Sequence, residues 1–134
     1  MNIGRQWEDR LRIWSEQFEK HYFTVCAPLS LSFFTTMDQL AFDEAVKGRF
    51  VPAQPGTRWG KKWEYGWFHT QAVIPAALEG KRAVFTLGAG EEMLVWVNGR
   101  EAGSIDRQHK YITLSRSARA GDVYDIYAEC YAGH

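Results

Sequence analysis

Pro55-Gly56-Thr57-Arg58-Trp59-Gly60-Lys61-Lys62-Trp63-Glu64-Tyr65-Gly66-Trp67-Phe68 decides how the chain is read, because it sets tryptophan at every fourth position and breaks that spacing with glycine. A four-residue period suits a helix. Here Pro55, Gly56, Gly60 and Gly66 each destabilise one by roughly 1 to 3 kcal/mol. Trp67-Phe68 instead opens an extended run, so the stretch reads as a glycine-hinged loop feeding a strand.

Downstream of the loop the hydrophobic period becomes two. Phe68, Thr70, Ala72 and Ile74 share one face, Trp67, His69, Gln71 and Val73 the other, and Pro75 ends the strand. Ala83, Phe85 and Leu87 alternate in a second strand closed by Gly88-Ala89-Gly90, and Met93 to Val97 form a third. Asn98-Gly99 is the strongest hairpin signal in the chain, since both residue types tolerate the positive φ of a type I′ turn. Its partner strand is Arg100 to Ile105, followed by a short strand over His109 to Leu114. Ala120-Gly121-Asp122 then turns the chain into Val123 to Tyr131, where Tyr124, Ile126, Ala128 and Cys130 oppose Asp125, Tyr127 and Glu129. Short strands with turns every eight to twelve residues predict an antiparallel, jelly-roll-like β-sandwich rather than βαβ units.

Upstream, residues Asn2 to about Tyr22 predict an amphipathic helix, with Trp7, Leu11, Trp14, Phe18 and Tyr22 on one face. Phe23 to Phe34 is apolar but interrupted by Pro28, which suits an extended connector or edge strand. Thr36 with Gln39 forms a capping-box pattern ahead of a second short helix over Leu40 to Lys47, stopped at Gly48. The fold class is therefore mainly β, with N-terminal helices: a helical segment over 1–50 packs on a sandwich over 51–134.

With 134 residues the chain fits one domain. Lys plus Arg and Asp plus Glu balance at 16 each, so no excess of positive charge is available for phosphates or anionic lipid, and nucleic acid and membrane are not expected partners. Arg5, Glu8, Asp9, Arg10, Arg12, Glu16, Glu19 and Lys20 leave the first twenty residues without the apolar stretch of a secretory signal. With Met1 as the start, a cytoplasmic protein is expected. Cys26 and Cys130 are the only cysteines and read as two reduced, buried thiols.

Little in the pattern offers chemistry. His21, His69, His109 and His134 are scattered, without the converging ligands a metal site needs. Glu91-Glu92 reads as solvated loop charge, and Gly88-Ala89-Gly90 lacks the helix and lysine of a phosphate loop. Arg58, Trp59 and Trp63 are the candidates for a role beyond folding. A tryptophan on a glycine-flanked loop can stack on a sugar or plug into a neighbouring domain, and an adjacent arginine can pair with a carboxylate. It can equally cap the domain's own core.

Two sets of motifs carry a resemblance. Trp67-Phe68, Ile74-Pro75, Gly80-Lys81-Arg82, Val84-Phe85-Thr86-Leu87, Val95-Trp96-Val97-Asn98-Gly99 and Tyr124-Asp125-Ile126-Tyr127 follow a cadence similar to the galactose-binding-like sandwich of many glycosidases. Pro55-Gly56-Thr57-Arg58-Trp59-Gly60 with Trp63, behind the helical N-terminus, resembles the N-terminal domain of family 38 glycoside hydrolases, the α-mannosidases of cytosolic type. That family often has proline after the Trp-Gly, where Lys61 stands here. The resemblance spans about residues 5 to 134 and implies an ancillary domain, inactive by itself, that packs on and stabilises a catalytic barrel elsewhere in the parent chain. In the family, that barrel holds zinc or another divalent metal and a nucleophilic aspartate, and it hydrolyses α-mannosides with retention through two carboxylates about 5 to 5.5 Å apart. No catalytic residue or metal ligand transfers to this sequence, and no cofactor is expected within it. The partners implied are the catalytic domain, α-mannosides and further copies of the parent enzyme. An independent carbohydrate-binding module of galactose-binding-like type is the alternative.

Overall fold

Nine-residue alternation at two places in the chain builds the centre of the molecule. The structure, a computed structural model, describes residues 26 and 28–133. Its strands in chain order are β1 (Leu31–Thr36), β2 (Val51–Ala53), β3 (Tyr65–Val73), β4 (Ala83–Phe85), β5 (Met93–Val97), β6 (Arg100–Ile105), β7 (Ile112–Ser115) and β8 (Val123–Tyr131), with a one-turn helix, α1 (Phe42–Ala45), between β1 and β2. β3 and β8 pair antiparallel along their whole length, from Tyr65 opposite Tyr131 to Val73 opposite Val123. Around that pair the six-stranded sheet runs β2-β1-β3-β8-β5-β6, and β4 with β7 forms a second, two-stranded sheet. Every pairing is antiparallel, which makes the architecture a mainly β sandwich.

The predicted faces of β3 and β8 are the observed ones. Phe68, Ala72, Ile126, Ala128 and Cys130 point inward with Met93, Val95 and Ile105, and Phe85 and Ile112 of the smaller sheet close over them. A satellite cluster of Ile74, Ala83 and Ala118 seals the far end. Asn98 and Gly99 take φ of 51° and 80°, as the hairpin between β5 and β6 requires. A bulge follows in β6, where Val95 pairs Gly103 but Trp96 pairs Glu101.

Three expectations change. Thr36 does not cap a helix: it ends β1, its hydroxyl accepts the Asp38 amide at 3.1 Å, and α1 begins only at Phe42 behind Ala41, which makes no side-chain cap bond. Strand pairing with β3 extends to Thr36 and consumes the proposed cap. β1 is not an edge, since it pairs on both sides, and the outer place belongs to β2, which carries Pro52 where a missing N–H is tolerated. Cys26 is exposed, while Cys130 is buried as expected. The helix expected over Asn2 to Tyr22 lies outside the described residues. Among the described residues no helix is long and apolar enough to cross a membrane.

The second face of the large sheet is also covered. Phe42 of α1 stacks on Trp96 at 5.2 Å between centroids and meets Tyr127 edge-on at 5.6 Å. Phe50 reaches Phe34, His69 and Tyr127, and Trp67 packs on Trp96 at 5.2 Å. Here the alternation of β3 places Trp67, fully buried, against rings rather than against water.

Candidate functional site

The loop between β2 and β3 is built from two reversals. Gln54-Pro55-Gly56-Thr57 closes the first: the Thr57 amide donates to the Gln54 carbonyl at 2.9 Å, and the Gln54 amide donates to the Thr57 hydroxyl at 2.9 Å. Proline followed by glycine at φ 87° suits the two central positions of a type II turn. The second reversal centres on Glu64, whose carboxylate accepts the amides of Gly60 at 2.9 Å and Lys61 at 2.8 Å. Burial by itself pushes the Glu64 carboxyl up, but the Lys61 amide, the Thr35 hydroxyl and the Gly60 amide together outweigh it and hold its pKa below the usual glutamate value.

These reversals send the two candidate tryptophans in opposite directions. Trp59 turns inward: its Nε1 donates to the Ala89 carbonyl at 2.9 Å, and its ring meets Phe68 edge-on at 5.4 Å. A Cβ on Gly66 would come within 2.9 Å of that indole, so glycine is what lets the ring lie across the strand. Trp63 turns outward. Its φ is 69°, in the left-handed region that a bulky L-residue rarely adopts, and 47% of its surface is exposed. The Lys62 ammonium lies 5.6 Å from its ring centroid, and its amide donates to the Gly133 carbonyl at 2.9 Å. Arg58 is exposed on the same loop, as are Lys61 and Lys62. Arg58, Trp59 and Trp63 thus share a loop without converging on one point.

A shallow cleft of about 350 Å³ opens elsewhere, between the β4–β5 and β6–β7 connections, lined by Thr86, Met93, Ile105, Asp106, Arg107 and Lys110. Its charges already have partners. Arg107 donates to Glu91 at 2.8 Å, and Asp106 accepts the amides of Gln108 and His109 at 2.8 and 2.7 Å. Those amides, His109 first, lower the Asp106 pKa.

On the aromatic face, His69 Nε2 lies 2.5 Å from Asp125 Oδ1, and its ring stacks on Tyr127 at 4.2 Å. Period-two alternation puts His69 and Asp125 on one face; their meeting depends on the cross-strand register, which no local pattern displays. Cys130, beneath Gly90, has its thiol pushed up to about 11 by burial, which keeps it protonated and unreactive. Among the described residues, no three His, Cys, Asp or Glu side chains group as metal ligands, so a zinc site does not fit within them and no chemistry is derived through one.

Known proteins match both the sandwich and the loop that precedes it. Residues 27–133 fit the family model described as "Alpha-mannosidase, jelly roll domain". The chain is 29% identical over 131 residues to alpha-mannosidase 2C1 of Mus musculus, an alignment covering 84% of this chain and 13% of that protein. It is 30% identical over 97 residues to alpha-mannosidase 2C1 of Homo sapiens, covering 72% of this chain and 9% of that one. This chain therefore spans a small part of the relatives it matches. Because the family model runs from ahead of β1 to past the end of β8, the chain belongs to the jelly roll domain family of the α-mannosidases.

Proposed function

We propose that this domain is a non-catalytic, ancillary part of an α-mannosidase, packing on the catalytic barrel and stabilising it while the barrel hydrolyses terminal α-mannosides. The observation that carries the reading is how its partly enclosed carboxylates are engaged. Glu64 is held by loop amides, Asp106 by the amides after it, Glu79 by the Ala120 amide and Asp125 by His69. A glycosidase needs two carboxyl groups facing one bond across a defined gap, and these four serve turns and strands instead. Zinc or another divalent metal belongs, on this reading, to the barrel, and the parent enzyme works in the cytoplasm.

The exposed Trp63 favours a second reading, a carbohydrate-binding module with that indole as its sugar platform. Hydrolysis of 4-nitrophenyl α-mannoside and calorimetric titration with mannobiose separate the two, carried out on this chain alone and on the α-mannosidase polypeptide containing it. Activity and binding confined to the longer polypeptide support the ancillary role. Saturable binding by this chain alone supports the module instead, and turnover by this chain alone overturns both.

A further inference from the structure

Trp63 combines four properties that its neighbours do not share. Its backbone sits at φ 69°, a conformation that L side chains other than Asn and Asp rarely hold and that concentrates where a surface has work to do. Its indole is among the most exposed large hydrophobic side chains of the described residues, at 47%. Around it stand Arg58, Lys61 and Lys62, all exposed, while the nearest acid, Glu64, is 8% exposed and turned inward onto the amides of Gly60 and Lys61. The loop therefore presents an aromatic ring inside an uncompensated cationic rim. Finally, the Trp63 amide holds the Gly133 carbonyl and the Glu64 carbonyl holds the Ala132 amide, so the end of the last strand is fastened to the foot of this indole.

We infer that Trp63 is the anchor by which the jelly roll docks onto another folded domain of the α-mannosidase polypeptide, seated in an apolar pocket edged by carboxylates. The inference rests on the packing role proposed above and says which surface performs it. A large planar ring at the centre with cations around it matches the usual anatomy of an interface anchor, in which desolvating the indole supplies most of the affinity and the rim supplies orientation. The relatives have ample chain for such a partner, since the aligned segment is 13% and 9% of their length. The division of labour within the loop follows: Trp59 fixes the loop to its own domain, and Trp63 reaches out of it.

The test compares Trp63→Ala and the double variant Lys61→Glu/Lys62→Glu in two settings, the α-mannosidase polypeptide carrying this domain and the 134-residue chain alone. Calorimetric melting and limited proteolysis are the readouts, with Arg119→Glu as a charge control on an exposed residue of another loop. In the unaltered polypeptide the jelly roll is expected to melt together with the rest. Each variant should split that transition and raise the rate of proteolytic release of the jelly roll at least tenfold, while the melting temperature of the lone chain stays put or rises with Trp63→Ala. Co-melting that survives both variants overturns the anchor and leaves the packing role standing; separate melting of the unaltered polypeptide removes the packing role itself. A fall in the lone chain's melting temperature as large as that in the polypeptide makes the indole a core residue and overturns the inference. So does Trp63-dependent stabilisation of the lone chain by mannobiose, which marks a sugar platform, or a Trp63-dependent dimer of the lone chain in sedimentation.

Discussion

The two faces of the six-stranded sheet bury their residues by different means. On the inner face, Phe68, Val95, Ile105, Ile126 and Ala128 meet the two strands of the smaller sheet, and small and branched side chains interlock between layers. On the outer face no second sheet is present among the described residues. The segment through Phe42 and Phe50 crosses it instead, and rings from four separate stretches stack on one another. A sheet layer covers area with regular backbone, whereas a one-turn helix and a loop must cover it with side-chain bulk. Aromatic residues provide the most area per residue and lose few rotamers in doing so. The contrast shows that the high aromatic content serves largely as a lid on the outer face.

Adjacent residues of β3 test whether the lid is a true second core. Phe68→Ala opens the inner layer and Trp67→Ala the outer; with relative exposures of 4% and 0%, each is expected to cost about 3–5 kcal/mol in urea unfolding. A Trp67→Ala cost below half that of Phe68→Ala would show the outer layer to be a loose cover. Next in size is Gly90, where an added Cβ would lie 2.2 Å from the Cys130 sulfur on the inner side. Gly90→Ala should destabilise by about 1–3 kcal/mol, and Cys130→Ala in the same chain should recover most of that loss. Additive costs in the double variant would mean the two sites do not touch.

Smaller effects come from the carboxylates. Glu64→Gln weakens the amide bonds that fold the loop above the inner core and is expected to cost about 1–2 kcal/mol near neutrality, given partial solvent screening. Because the folded pKa of Glu64 is lowered from its ordinary 4.5, its contribution is complete above that value and is lost as pH falls through the folded one. Melting curves of the two proteins should therefore differ at pH 7 and converge in acid. A gap that widens in acid contradicts the assignment. Glu129, on the outer face, has its pKa raised by burial, so the sign reverses: ionisation is penalised, and stability falls as pH rises through the raised value. Glu129→Gln should stabilise by no more than about 0.5 kcal/mol at pH 7 and not at all in acid; destabilisation there would assign the carboxylate a favourable partner on this face.

How much was legible beforehand differs by element. The strands β3, β5, β6 and β8, their inward faces and the Asn98-Gly99 turn are local patterns, since period two and a positive-φ turn are written within a few residues. β2 was not foreseen, because Val51–Ala53 is three residues long with a proline inside. Thr36 was misread because a cap and a strand end share the same residue preference until pairing partners are known. At the candidate site, the glycine-hinged loop was visible, but the opposite directions of Trp59 and Trp63 were not.

The chain's own pattern was enough to determine an antiparallel sandwich of the α-mannosidase jelly roll family and to mark the loop of residues 55–64 as its distinctive feature. Tertiary structure alone decided that Trp59 closes the core through Ala89, thirty residues away, that Trp63 faces out, and that His69 finds Asp125 fifty-six residues on. The physical reason is one of range. Alternation and turn chemistry act between neighbours, whereas the direction of a side chain in an irregular loop is set by whichever distant carbonyl, ring or amide the completed sheet brings within reach.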